Sequence, residues 1–256
     1  MPNSFAKKKS NYMKQVFVLL ALAITYMGMD QLKEGVILYE QKVNMHRRAI
    51  NVNGQDMRAM IPEFQINKTQ LVFNSNESFY KSYEDEEADE TELSSGGATV
   101  RFRRPQSEIY KNFQIGQKVE LREFMGKKYL IKGEMTQTPW KITGETADLN
   151  GYACVKATMT DSLRGEARNI AAWFTPDIPV AAGPDNFGAL PGMILKVDIN
   201  DGEVIYTTLK IEGRPLKKGE LTVPSKGKEI TEDDFRKMVE EQMKQMGGQR
   251  MIIRNE

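Results

Sequence analysis

Two short dipeptides restrict the folds open to this chain more than any other feature. Asn150-Gly151 stands between the β-type runs Trp140–Ala147 and Tyr152–Met159, and Asp201-Gly202 stands between Met193–Ile199 and Glu203–Ile211. Asn-Gly and Asp-Gly favour tight hairpins, because the central residues of a type I′ turn need φ > 0. Within Tyr152–Met159, Ala153, Val155, Ala157 and Met159 alternate with Tyr152, Cys154, Lys156 and Thr158. A period of two predicts one buried face and one wetter face. Two such hairpins in sequence commit this half of the chain to antiparallel β structure.

Shorter runs of the same kind fill the rest. Val36–Met45, Gln70–Phe73, Glu77–Tyr83, Ser107–Phe113, Lys118–Glu123, Lys127–Gly133 and Ala167–Phe174 are predicted strands, with Gly116 and Gly126 at bends. Helical periodicity is confined to the C-terminus. Thr231 is the predicted N-cap, Asp234 completes a short capping box, and Ile230 with Phe235 forms a hydrophobic staple. Glu232, Asp233 and Asp234 suit the positive end of the helix dipole. Phe235, Met238, Val239, Met243 and Met246 make one stripe, and Gly247-Gly248 is the expected end. Lys217, Lys218, Lys226 and Lys228 make the preceding segment a basic, solvated linker.

The ionisable inventory excludes several function classes. A net charge of +1 gives no global field for nucleic acid. One cysteine, Cys154, permits no internal disulfide, and with the one histidine, His46, it falls short of the usual four ligands of structural zinc. No local pattern marks Cys154 or His46 as catalytic. The turn from Asp198 to Glu203 begins like a calcium loop but lacks Gly and Glu at the spacing an EF-hand needs. No catalytic residue, metal ligand or cofactor is predicted.

At the N-terminus, Lys7, Lys8, Lys9 and Lys14 precede an apolar run from Val16 to Ile24. A basic lead before a short apolar stretch is the secretory signal pattern. The run is shorter than the ~20 apolar residues of a membrane-spanning helix. The expected organisation is a signal peptide over residues 1–29, an antiparallel β domain over 30–225, and a C-terminal helix and tail over 226–256. Membrane contact is expected through the transient signal segment alone. With its cysteine far downstream of the apolar run, the chain is not expected to be a lipoprotein.

Two segments stand out from the strand pattern. Glu84 to Glu92 carries seven carboxylates and is expected to remain a solvated loop. Trp173 to Leu195 combines four prolines and three glycines with many large apolar residues. Stiff, irregular and apolar backbone predicts a connection packed over the core or bordering a cavity mouth.

The residues in that second segment carry a resemblance. Gly188-Ala189-Leu190-Pro191-Gly192-Met193-Ile194 resembles the motif that names the GLPGLI family of bacterial envelope proteins. Trp173-Phe174-Thr175-Pro176-Asp177-Ile178-Pro179 resembles its lead-in, and Gly151-Tyr152-Ala153-Cys154-Val155-Lys156-Ala157 its GYxCxKA strand. Ala189 replaces the motif's glycine, and Met193 its leucine. The resemblance implies an exported, mainly β protein with a curved antiparallel sheet, half-barrel-like, and no established activity or catalytic residues. It also implies association with outer-membrane receptor systems.

The functional expectation is a non-catalytic binding or accessory protein of the periplasm or outer membrane. Its partner would be an apolar ligand or a segment of an outer-membrane protein. Trp173, Phe187, Leu190, Pro191 and Met193 are the predicted ligand-binding residues. The alternatives are an interaction subunit of an outer-membrane receptor system, working through the helix stripe or a sheet edge, and a hydrolase using carboxylates or Cys154.

Overall fold

The computed structural model describes residues 31–47, 51–52, 55–56, 58, 62–83, 91–95, 98–102, 107–136, 138–163 and 166–252. The predicted signal segment and the acidic residues 84–90 lie outside them. The architecture below belongs to the unit Leu32–Glu256.

The first half contains β1 (Gly35–Asn44), a 3-10 turn (Met45–Arg47), and the short pair β2 (Asn51–Val52) and β3 (Gln55–Asp56). There follow β4 (Phe64–Phe73), β5 (Glu77–Ser82), β6 (Thr91–Ser95), β7 (Ala98–Phe102), β8 (Ser107–Asn112), β9 (Gln117–Phe124) and β10 (Lys127–Glu134). The second half contains β11 (Lys141–Leu149), β12 (Tyr152–Leu163), β13 (Glu166–Thr175), β14 (Met193–Ile199), β15 (Val204–Gly213) and β16 (Lys228–Thr231). Helix α1 (Glu232–Ile252) closes the chain. Twelve strands form one sheet in the order β11-β12-β13-β14-β15-β1-β4-β5-β8-β9-β10-β16. The sheet is curved and not closed into a barrel, so the fold is mainly β with one C-terminal helix.

Turn chemistry sets the meanders on either side of β1. Asn150 (φ 55°) and Gly151 (φ 80°) both take the left-handed angles that a two-residue hairpin demands. Met125 (φ 51°) and Gly126 (φ 73°) do the same between β9 and β10. The Asp201-Gly202 hairpin uses a wider turn from Asn200 to Glu203. There the Asp198 carboxylate accepts the Gly202 N–H at 2.7 Å, and the Asn200 amide donates to Glu203 at 2.7 Å. These polar groups hold the turn itself.

β1 is the seam where the two meanders meet. It pairs antiparallel with β15 on one edge and with β4 on the other. Its first residue must be glycine for this closeness, since a Cβ at Gly35 would lie 2.3 Å from the Glu212 carbonyl oxygen. Ile37 and Tyr39 are fully buried and centre a cluster with Leu71, Phe73, Ile109, Cys154, Ile178, Met193 and Leu195. A second cluster gathers Ala157, Ala172, Phe174, Leu190, Ile194 and Tyr206. β12 serves both clusters, Cys154 facing the first and Ala157 the second. The single wet face expected from its alternation is therefore absent, because the strand is covered on opposite sides at different points.

The structure departs from the sequence reading in three further places. Lys228–Thr231 pairs with β10 as a parallel edge strand, where a solvated linker was expected. Its Ile230 packs, partly buried, against the cluster of Tyr129, Ile131 and Phe235, while Lys228 and Glu229 stay exposed. β6 and β7, beside the acidic run, pair antiparallel, with Glu92 and Arg101 at opposite register positions. Helix α1 continues past Gly247-Gly248 to Ile252, since neither glycine adopts the left-handed angle of a C-cap.

Its start follows the sequence. The Asp234 N–H donates to Thr231 Oγ1 at 3.2 Å, and the Thr231 hydroxyl donates to the Asp234 carboxylate at 2.8 Å. Phe235 then sits edge-on to Tyr129 and Phe124, at ring separations of 5.5 and 6.1 Å. Met243 and Met246 fall outside the residues whose side chains are described. No helix among the described residues is long and apolar enough to cross a membrane.

The Trp173–Leu195 segment is fixed to the sheet by its own backbone. Met193 N–H donates to the Ile178 carbonyl, Ile194 N–H to Ala182 and Ala189 N–H to Ala181. The buried Tyr39 hydroxyl donates to the Ile194 carbonyl at 2.7 Å. Gly192, at φ 152°, lies so close to β13 that a Cβ there would stand 2.1 Å from the Thr175 carbonyl oxygen. Replacing Gly192 with Ala is expected to destabilise the fold by on the order of 3 kcal/mol or more, through backbone collision plus strained φ. Urea unfolding of the two proteins measures this, and an unchanged midpoint would contradict the geometry.

Candidate functional site

Cross-strand register builds the site. Residues opposite one another in antiparallel strands share a face. One row runs Ile37, Leu71, Tyr80, Ile109, Glu120, Ile131 across β1, β4, β5, β8, β9 and β10. The next runs Phe73, Ser78, Lys111, Lys118, Gly133. The rows begin as hydrocarbon and turn polar toward β8 and β9. The 176–192 connection covers the apolar part, while α1 covers the β10 end through Phe235. Between the two covers a cleft of about 510 Å3 remains. Lys111, Lys118, Glu120, Arg122 and Ile131 belong to its sheet wall, Phe235, Arg236, Val239 and Glu240 to its helix wall, and Asn186, Gly188 and Ala189 to its loop wall.

Lys111 is the unusual member. It is 5% exposed, a burial that lysine rarely accepts without a partner. Its ammonium donates to the Phe187 carbonyl at 3.0 Å and to the Asp185 carbonyl at 3.4 Å. It lies against Gly188, where an added Cβ would stand 3.7 Å from Nζ and 2.8 Å from the Ala181 carbonyl. Burial pushes its pKa down to about 8, with Lys118 adding to the fall and the Asp185 and Glu120 carboxylates opposing it. An ammonium has three donors, and two are used among the described residues.

The remaining cations of the cleft are already matched. Lys118 bridges Glu232 at 3.2 Å, Arg236 bridges Asp233 at 2.6 Å, and Arg168 binds Asp161. Arg122 donates through Nε to the buried Glu120 at 2.7 Å and stacks its guanidinium over Phe235. Beside the cleft, the Tyr206 hydroxyl donates to the Asp185 carboxylate at 3.4 Å and accepts from the Gln41 amide at 2.7 Å. Burial raises the pKa of Tyr39, Tyr80 and Tyr206, so each stays a neutral phenol.

The five residues predicted from sequence take different places. Met193 is fully buried, and Trp173 packs beside the same cluster with the Lys156 ammonium over its ring. Leu190 is buried in the second cluster, with Phe187 partly buried against it and edge-on to Tyr206 at 6.2 Å. Pro191 is exposed. None of the five lines the cleft, whose loop wall comes from the intervening Asn186, Gly188 and Ala189. Ala189 holds φ 62°, the left-handed angle, without the glycine that would reach it freely.

Cys154 is fully buried, and burial followed by the nearby Asp148 charge pushes its thiol up to about 11. It is separated from the His46 strand end by β13, β14 and β15 in the sheet order. Among the described residues no cluster of His, Cys, Asp and Glu could hold a metal ion. A second cleft, of about 420 Å3, is lined by Val36, Phe79, Lys81 and the Arg214–Glu220 pair. It contains no buried ionisable group.

Residues 162–196 match a family model described as a protein of unknown function (Porph_ging), so the matched stretch covers β13, the irregular connection and the start of β14. A comparison with curated proteins finds no match. Among solved structures, PNGF-II in its P21 crystal form superposes with a TM-score of 0.54 at 17% identity, covering 80% of this chain and 33% of that one. The C2 form gives 0.53 and 16%, covering 81% and 32%. The chain thus spans about a third of the PNGF-II length, and the likeness concerns fold.

Two outcomes follow from the site. Below pH 8 Lys111 is charged in both folded and unfolded chains, whereas between pH 8 and about 10 the unfolded chain holds more protons. Stability is therefore expected to rise across that window, by on the order of 2 kcal/mol from this group. Lys111→Met should flatten the rise relative to the parent in urea titrations at each pH. Ala189→Gly removes a left-handed alanine and is expected to add up to about 1 kcal/mol in the same assay.

Proposed function

We propose that the chain is an exported, non-catalytic binding protein of the bacterial cell envelope, holding a ligand or partner segment in the cleft between α1 and the 176–192 connection. The observation that carries this is Lys111, a nearly buried ammonium with a donor to spare at the wall of a concave site. Its volume falls in the range of small-ligand sites, about 300–1,000 Å3. Ile131, Phe235 and Val239 supply apolar walls beside the polar ones. Rigid strands and an anchored loop position these groups in advance, which lowers the ordering cost of binding. Export is supported by the basic lead before Val16–Ile24, and the envelope address by the resemblance to the GLPGLI family.

Two measurements test the two halves. Mass spectrometry of the protein from fractionated cells should find the N-terminal segment removed and the mature chain outside the cytoplasm. Full-length protein in the cytosol would reject export. Thermal-shift screening against peptides, sugars and fatty acids should find a class that raises Tm, and Val239→Trp, which fills the cleft from the helix, should abolish the gain. A gain untouched by that substitution would place binding elsewhere.

A further inference from the structure

The charge pattern of the cleft restricts what it can hold. Lys118, Arg122, Arg168 and Arg236 each have a carboxylate partner and offer no net charge to a ligand. Three charges in the lining are left over. Lys111, on the sheet wall, has one donor unused among the described residues. Glu134 and Glu240, both exposed, make no ion pair or hydrogen bond with any described residue. A simple anion would meet Lys111 and also the field of two unopposed carboxylates. A simple cation would find the carboxylates and leave the third donor of the buried ammonium unused. A molecule with an anionic oxygen at one end, a cation at the other and hydrocarbon between them satisfies all three groups and the walls of Ile131, Phe235 and Val239.

We infer that the cleft takes a zwitterionic ligand of the short-peptide class, its carboxylate on Lys111 Nζ and its ammonium toward Glu134 and Glu240, with an apolar side chain against Ile131 and Phe235. This rests on the binding reading above and adds the ligand's chemistry. The carboxylate completes the third hydrogen bond of an ammonium that burial has stripped of water, the setting in which a charge-assisted bond counts most. The two glutamates stand at the exposed side, where they select by sign and contribute less energy.

Calorimetric titration of the full mature protein with the tripeptide Ala-Leu-Ala tests the assignment, using its N-acetyl form and its C-terminal amide as controls. The free peptide should bind, and loss of the carboxylate as the amide should weaken binding on the order of tenfold. Acetylation should weaken it less. Lys111→Met should bind acid and amide alike. Because that substitution also unfastens the loop, Glu134→Gln with Glu240→Gln provides a second reading at exposed positions. It should abolish the preference for the free over the acetylated peptide. Equal binding of acid and amide by the parent would overturn the zwitterion. A neutral sugar or fatty acid displaced by Val239→Trp would also overturn it while leaving the binding function standing. No binding of any probe would remove both.

Discussion

The structure depends on β1 being paired along both edges. Each meander has its own turns and register, but neither has a completed sheet until β1 joins them. Backbone hydrogen bonds run from Gly35 to Asn44 against β4 and from Gly35 to Val43 against β15. The strand's side chains also reach beyond the sheet. Tyr39 donates to Ile194 where β14 begins, so the central strand holds the end of the irregular connection. Moving the register by one residue would turn Ile37 and Tyr39 away from the core and break that bond.

The irregular connection converts this sheet into a site. Of the two places its apolar residues suggest, over the core or at a cavity mouth, most take the first: Ile178, Val180, Leu190, Met193 and Ile194 are at most 2% exposed. What it offers Lys111 is backbone. The carbonyls of Asp185 and Phe187 receive the Lys111 ammonium, Gly188 leaves room above it, and the Trp140 indole donates to the Gly188 carbonyl at 2.9 Å. Glycine at 188 and 192 is required by neighbouring carbonyls that any Cβ would strike. The apolar residues between the prolines and glycines therefore form a part of the core that has no regular secondary structure, while Pro176, Pro179 and Pro191 stay exposed.

Local rules made much of this legible. Asn150-Gly151, Gly126 and Asp201-Gly202 declared their hairpins, and Thr231 with Asp234 declared the helix start. What stayed hidden depends on distant chain. Phe64–Thr69, the polar half of β4, has only Phe64 and Ile66 as apolar residues, both exposed, and is a strand because β1 needs a partner there. Lys228–Thr231 is a strand because β10 has an open edge. Lys111 sits between Tyr110 and Asn112 in an ordinary half-polar run. Its burial is caused by residues 185–188, more than seventy positions later, and no local pattern could signal it. The only hint in the sequence was the apolar, proline-broken segment itself, which had to cover something.

The depth of Cys154 has a further chemical meaning. Thiol–disulfide exchange requires a thiolate and an approach path. This sulfur is sealed in the cluster around Ile37, Tyr39 and Ile178 and is held as a protonated thiol that donates to the Tyr152 carbonyl at 3.5 Å. Oxidants and mixed disulfides act on accessible thiolates, so a cysteine held this way is chemically inert, hydrocarbon-like filling whatever the redox state around it.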